Sequence, residues 1–258
     1  MNFAKFVCIA YNMKRIFYDF STAHFVGRKR LNLAFSKRIV IVLLLAALLG
    51  VIAYFCFTPK SVFLAESKYY YAISSICASE ASANENAEQI RVQGGAGLVI
   101  YDHDYLVAVF VYPEKLFAQK VTENLGDGAF VYTSYRAATK LRAKNFRHVQ
   151  IISNAIGVVE YVIQQIYSTV ILLEKSETTV SVAENIVYMC DKKLKSANEK
   201  LGKIKKWYSG NEIENLIEKY DAISLLLEDV CSNLSELKLI LCKMVQVFVN
   251  FTNKTAIV

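Results

Sequence analysis

Hydrophobic and polar positions fall into three regimes along the chain. From Ile39 to Phe57 (IVIVLLLAALLGVIAYFCF) apolar residues run on for nineteen positions without a charge. At the α-helical rise this run spans roughly 28 Å, the thickness of one hydrocarbon core. From Lys68 to Tyr135 short apolar strings alternate with helix-forming stretches and turn residues. From Val149 to Val249 there is no proline, and apolar residues recur three and four apart, the spacing of a helix face.

The middle regime predicts six elements in under seventy residues. Tyr69 to Ser75 (YYYAISS) is aromatic and β-branched, a strand pattern. Residues 78–93 are rich in helix formers, with Ser79 or Ser82 as N-cap and Ala83, Ala87, Ile90 and Val92 as the apolar side. Gly94, Gly95 and Gly97 end that helix. Leu98 to Tyr101 and Tyr105 to Tyr112 read as two strands joined by a turn at Asp102-His103-Asp104. Pro113 suits the first turn of a second helix that Gly126 closes, and Ala129 to Ser134 supplies the last strand. This β-α-β-β-α-β order is the split βαβ, ferredoxin-like arrangement.

The third regime predicts helices only. Arg136 to Arg147 (RAATKLRAKNFR) is basic and reads as a helix beginning. Val149 to Leu173 follows as a strongly apolar helix whose only charge is Glu160. Two heptad series come next, one from Val180 to Tyr208 and one from Ile213 through Leu227, Val230 and Leu234 to Phe248. Ser209-Gly210-Asn211 separates them, with Asn211 and Glu214 spaced as a capping box. The expected outcome is an antiparallel three-helix bundle or coiled coil.

Charge orients the chain. Residues 1–38 hold eight Lys/Arg against Asp19 alone, which supplies the whole net charge of +7. That cluster predicts a cytoplasmic N-terminus and an extracytoplasmic remainder, and it removes the argument for nucleic acid that a basic chain would otherwise raise. Met13 offers an alternative start with the same topology. The expected organisation is a basic cytoplasmic segment at 1–38, a transmembrane helix at 39–57 and a linker at 58–67. An α+β domain at 68–135 and an all-α region at 136–258 complete it. The apolar composition of Ile151 to Leu173 also suits a second span, but Lys140, Arg142, Lys144 and Arg147 would then stand on the wrong side.

Candidate chemistry adds little. The six cysteines (Cys8, Cys56, Cys77, Cys190, Cys231 and Cys242) form no CxxC pair and have no histidine at metal spacing, so neither zinc nor any other cofactor is expected. His24, His103 and His148 are the three histidines, and no nucleophile–base spacing is visible among them. The chain reads as a binding or structural protein and not as an enzyme. Gly94-Gly95-Ala96-Gly97 lacks the Lys-Ser/Thr of a phosphate loop and follows a helix, which excludes a nucleotide site of that type.

Three strings in the middle regime carry a resemblance: YYYAISS followed by ENAEQI; GGAGLVIYDHDYLVAVFVYP; and the helix leading into GAFVYTSY. Together they resemble a sporulation-related repeat (SPOR) domain, the small extracytoplasmic module that binds peptidoglycan in bacteria. The resemblance covers residues 68–135. It implies a membrane-anchored protein of cell division or envelope assembly that contacts glycan strands through the sheet's free face. By alternation that face holds Tyr70, Ala72 and Ser74 with Leu106, Ala108 and Phe110, while Tyr71, Ile73, Val107 and Val109 point to the helices. The family often carries Gln and Gly on the first strand and Arg on the third, where this chain has Ala72, Ser74 and Leu106. An apolar face of this kind suits ring stacking on sugars. It equally suits burial by the chain's own helices or by a second protein, which would make the molecule a scaffold that binds a protein partner or itself.

Overall fold

A computed structural model describes residues 33–57, 60–208, 212–228 and 233–250. The basic segment at 1–32, Pro59, the Ser209-Gly210-Asn211 link, Val230 and Cys231 lie outside the described residues. The chain divides into two units, Met1–Phe55 and Cys56–Val258. Helix α1 (Leu33–Phe57) contains the continuous apolar run, and its side chains from Val40 to Ile52 all stand exposed. From Ile39 onward its uniform apolarity leaves no polar face to offer water.

In the second unit the order is β1 (Lys60–Leu64), β2 (Ser67–Cys77), α2 (Glu80–Val92), β3 (Leu98–Asp102), β4 (Asp104–Tyr112), α3 (Lys115–Leu125), β5 (Phe130–Arg136) and β6 (Thr139–Ala143). Helices α4 (Phe146–Glu174), α5 (Val180–Lys205), α6 (Glu212–Glu228) and α7 (Leu234–Val249) follow. Strands β3-β4-β2-β5 form one antiparallel sheet in that spatial order, the split βαβ topology expected from the pattern.

Local chemistry accounts for the helix boundaries. The Ser79 side chain accepts from the Ser82 backbone N–H at 3.3 Å and caps α2. At the other end Gly95 N–H reaches the Ile90 carbonyl at 2.8 Å and Gly94 N–H the Arg91 carbonyl at 2.9 Å, a Schellman closure with Gly94 at φ +85°. Val92, expected on the apolar side, is exposed. Helix α3 starts at Lys115, so Pro113 precedes it instead of opening its first turn. His103 alone makes the β3–β4 turn, at φ +64°.

Two segments correct the sequence expectations. Residues 60–64, expected as linker, and 139–143, expected as the start of a helix, pair as an antiparallel ribbon from Lys60↔Ala143 to Leu64↔Thr139. Both alternate: Val62, Leu64, Leu141 and Ala143 are buried, while Phe63, Lys140 and Arg142 are exposed. The helix-forming Ala, Lys and Arg content of the second segment masked a period of two. The second heptad series is not one helix. It breaks into α6 and α7, and Asn233 caps α7 by accepting from Glu236 N–H at 2.9 Å. The result is a four-helix arrangement in which α4 packs on α5 and α7, and α6 on α5 and α7.

Helix α4 is long and apolar enough to cross a membrane by composition. Ten of its side chains, including Ile152, Val159, Ile163, Ile166 and Val170, are buried within the folded unit. Tyr220 of α6 donates its hydroxyl to the Ala155 carbonyl, a long-range bond onto this helix.

Candidate functional site

The sheet's two faces belong to different cores. On one side Val107 and Cys77 join Ala83 and Ala87 of α2. On the other, Leu106, Ala108 and Phe110 join the helical core built from α4 to α7. Helix α7 lies over β3, β4 and β5. Phe110, 1 % exposed, stacks on Tyr167 of α4 with ring centroids 6.0 Å apart, and the Lys238 ammonium of α7 sits 5.6 Å from its ring centre.

The candidate sugar-binding residues are therefore placed as follows. Ala72, Leu106, Ala108 and Phe110 are buried, and Tyr70 and Ser74 are half-buried. Ser74 spends its hydroxyl on the Val107 carbonyl at 3.1 Å. The expected open face is a closed one, and four of its six residues offer no surface to a glycan. Alternation also misplaced Tyr71 and Ile73: both belong to the core with Leu106, Ala108 and Phe110, and the Tyr71 hydroxyl donates to the Cys242 carbonyl of α7 at 3.1 Å instead of lying under α2 and α3. The cause is local. Strand β2 is irregular between Ala72 and Ser75, and a bulge there shifts the side-to-side order along the strand.

A charged pin holds the seam. Arg136, at the end of β5, is 1 % exposed. One guanidinium nitrogen, Nη2, donates to the Ala65 carbonyl at 3.0 Å, the Ser67 hydroxyl at 3.0 Å and the Glu160 carboxylate of α4 at 3.2 Å. The same guanidinium lies 4.5 Å from the ring centre of Phe248 on α7. No sequence signal distinguished this arginine from its basic neighbours.

Beside the pin, the start of β2, the end of β4 and α4 enclose a cleft of about 370 Å³. Tyr69, Tyr112, Tyr167, Glu160 and Gln164 line it. Burial pushes the Tyr69 hydroxyl up to about 12, with Glu160 adding to the rise. Burial raises Tyr112 and Tyr167 as well, so all three remain neutral phenols near pH 7. Aromatic faces with neutral hydroxyls and one carboxylate can stack on and hydrogen-bond a polar ligand.

A second, wider cleft of about 750 Å³ opens where β6 runs into α4 and meets the end of α5. Lys144, Arg147, Lys200, Lys203 and Lys206 line it with Trp207, and no carboxylate among the described residues does. His148 lies at its floor, 3.0 Å from the Tyr208 hydroxyl, and its pKa is lowered by burial and by Lys144 and Arg147.

Among the described residues no group of three His, Cys, Asp or Glu is placed to hold a metal ion. Cys77, Cys190 and Cys242 are free and buried, and burial pushes the Cys190 thiol up to about 11. The glycine run has a structural explanation. A Cβ at Gly97 would lie 2.1 Å from the Ala87 carbonyl oxygen, so the β3 entry passes against α2 too closely for any side chain. No family model matches the chain, and neither a curated protein nor a solved structure matches it.

Proposed function

We propose that this protein is a non-catalytic scaffold anchored in the cell membrane by α1, with a cytoplasmic N-terminus and its folded unit on the extracytoplasmic side. The module at 68–135 retains the element order of a SPOR domain. Its sheet, however, serves as the platform on which the helices dock, and partner recognition falls to the outer surfaces. The burial of Leu106, Ala108 and Phe110 beneath α7 and Tyr167 carries this reading. A surface already filled by the chain's own side chains has no free energy of burial left to offer a ligand. The anchor rests on α1, whose apolar side chains from Val40 to Ile52 stand exposed, and on the eight basic residues that precede the apolar run.

The test is co-sedimentation of the full chain in nanodiscs with purified peptidoglycan, alongside Ala108→Glu. A scaffold with a closed sheet gives no pelleting that depends on this face, and the substitution lowers stability by several kcal/mol because the new charge is buried unpaired. Pelleting abolished by Ala108→Glu at unchanged stability would restore the sheet as a glycan site. A second reading has its own observation, the tyrosine-lined cleft by Glu160. Pelleting that survives Ala108→Glu and is lost in Tyr112→Ala would place glycan there. Protease added to intact protoplasts should remove the chain beyond about Pro59; protection of that region would defeat the topology.

A further inference from the structure

We propose that the basic cleft between the start of α4 and the end of α5 is a docking surface for anionic phospholipid headgroups of the bilayer that holds α1. This rests on the anchor reading above. Its chemistry is one-sided. Five cations converge with no carboxylate in the lining, and none of Lys144, Arg147, Lys200 and Lys203 forms an ion pair among the described residues. Clustering unpaired like charges costs self-repulsion, which a phosphate partner relieves. Burial first, and then the neighbouring Lys144 and Arg147, lower the pKa of His148 at the cleft.

Chain connectivity limits how far the cleft's rim can stand from the end of the apolar helix. Lys60 lies three residues beyond Phe57, the last residue of the apolar helix, a maximum reach of about 10 Å. The ribbon pairs Lys60 with Ala143, about 5 Å across the ladder. Lys144, the next residue, is already part of the cleft. The covalent path from the end of the apolar helix to the cleft's rim is therefore at most about 20 Å.

Exposed aromatic rings at the same end favour lipid over a soluble polyanion. Phe146 opens α4 at 63 % exposure, Trp207 closes the cleft at 54 %, and Phe63 projects from β1 at 72 %. Aromatic side chains set among cations are the composition of a membrane–water interface. The cleft also continues between α4 and α5 past Gly157 and Ser196 to Lys193, whose ammonium sits 3.8 Å from the Tyr161 ring centre.

Trp207 is the sole tryptophan, so its fluorescence reports on the cleft in the intact protein. The full chain is reconstituted in nanodiscs of phosphatidylcholine, with or without phosphatidylglycerol, and quenched with neutral acrylamide. Docking predicts that phosphatidylglycerol shields Trp207, that high salt removes the shielding, and that Lys203→Glu with Lys206→Glu removes it at low salt. The docked-to-undocked ratio should fall about fivefold for each cation removed. Equal quenching in both lipids, with the chain retained in the discs, overturns the headgroup site alone. A chain that does not stay in the discs overturns the anchor on which the site rests. Shielding by a soluble phosphodiester oligomer in phosphatidylcholine discs, without shielding by phosphatidylglycerol, overturns lipid as the occupant.

Discussion

Replacing Arg136 separates packing from pairing at the seam between sheet and helices. Its guanidinium is fully buried, yet its three acceptors are not: Ala65 is exposed, Ser67 is half-buried, and the Glu160 side chain is 47 % exposed. Two further donors, Nε and Nη1, find no partner among the described residues, so part of the desolvation of this cation goes uncompensated. In Arg136→Met an uncharged side chain of similar length takes the place of the guanidinium over Phe248, and water can reach the freed acceptors. The expected loss is about 1 kcal/mol. In Arg136→Ala the same bonds are lost and a cavity opens beneath Phe248, for about 3 kcal/mol in total. Urea unfolding of the full chain in detergent, followed by far-UV circular dichroism, gives both values. If Met proves as costly as Ala, the hydrogen bonds to Ala65, Ser67 and Glu160 hold the seam and the packing argument is wrong.

Two further outcomes follow from local geometry. Gly97→Ala should destabilise by roughly 1–3 kcal/mol, because φ is +55° and the new Cβ would meet the Ala87 carbonyl oxygen; an unchanged midpoint would mean that the β3 entry shifts freely away from α2. The lowered pKa of His148 means that the unfolded chain binds its proton more tightly than the folded one. Its contribution is therefore fully present above the unfolded pKa of about 6.5 and is lost as pH falls through and below that value. His148→Gln should flatten the slope of stability against pH in that range, and an unaltered slope would assign it to another group.

The order of elements from 69 to 134 was legible because each carries its own local signal: β-branched and aromatic strings, Ser79 as a cap, glycines at a helix end. The ribbon of 60–64 with 139–143 was not. Its strands are separated by 75 residues from Leu64 to Thr139 and meet only through tertiary pairing, and the helix propensity of Ala, Lys and Arg outweighed a five-residue alternation.

 The separation of the two halves of the ribbon leaves no turn between them to read. The break at Asn233 was hidden for a different reason. Apolar residues keep their heptad spacing across it, and periodicity alone does not register a change of helix direction, although Asn233 with Glu236 spells a capping box.

The candidate site was legible only as a question. Alternation put Leu106, Ala108 and Phe110 together on one face of β4, and the structure keeps them together. What covers that face depends on where α7 docks, which no local pattern encodes. The bulge in β2 moved Tyr71 to the helical side, and no glycine or proline marks it in the sequence. The Arg136 pin and the convergence of Lys144 and Arg147 with Lys200, Lys203 and Lys206 arise from residues far apart in the chain.

The closed sheet is tested most directly by a double-mutant cycle between Phe110 of β4 and Tyr167 of α4. Phe110→Leu, Tyr167→Leu and the double variant are compared by urea unfolding of the full chain. Rings stacked at 6.0 Å predict a coupling of about 0.5–1.5 kcal/mol, so that the double variant loses less than the sum of the two single losses. Strictly additive losses would mean that the helices do not rest on this face, and the sheet would again be open to a ligand.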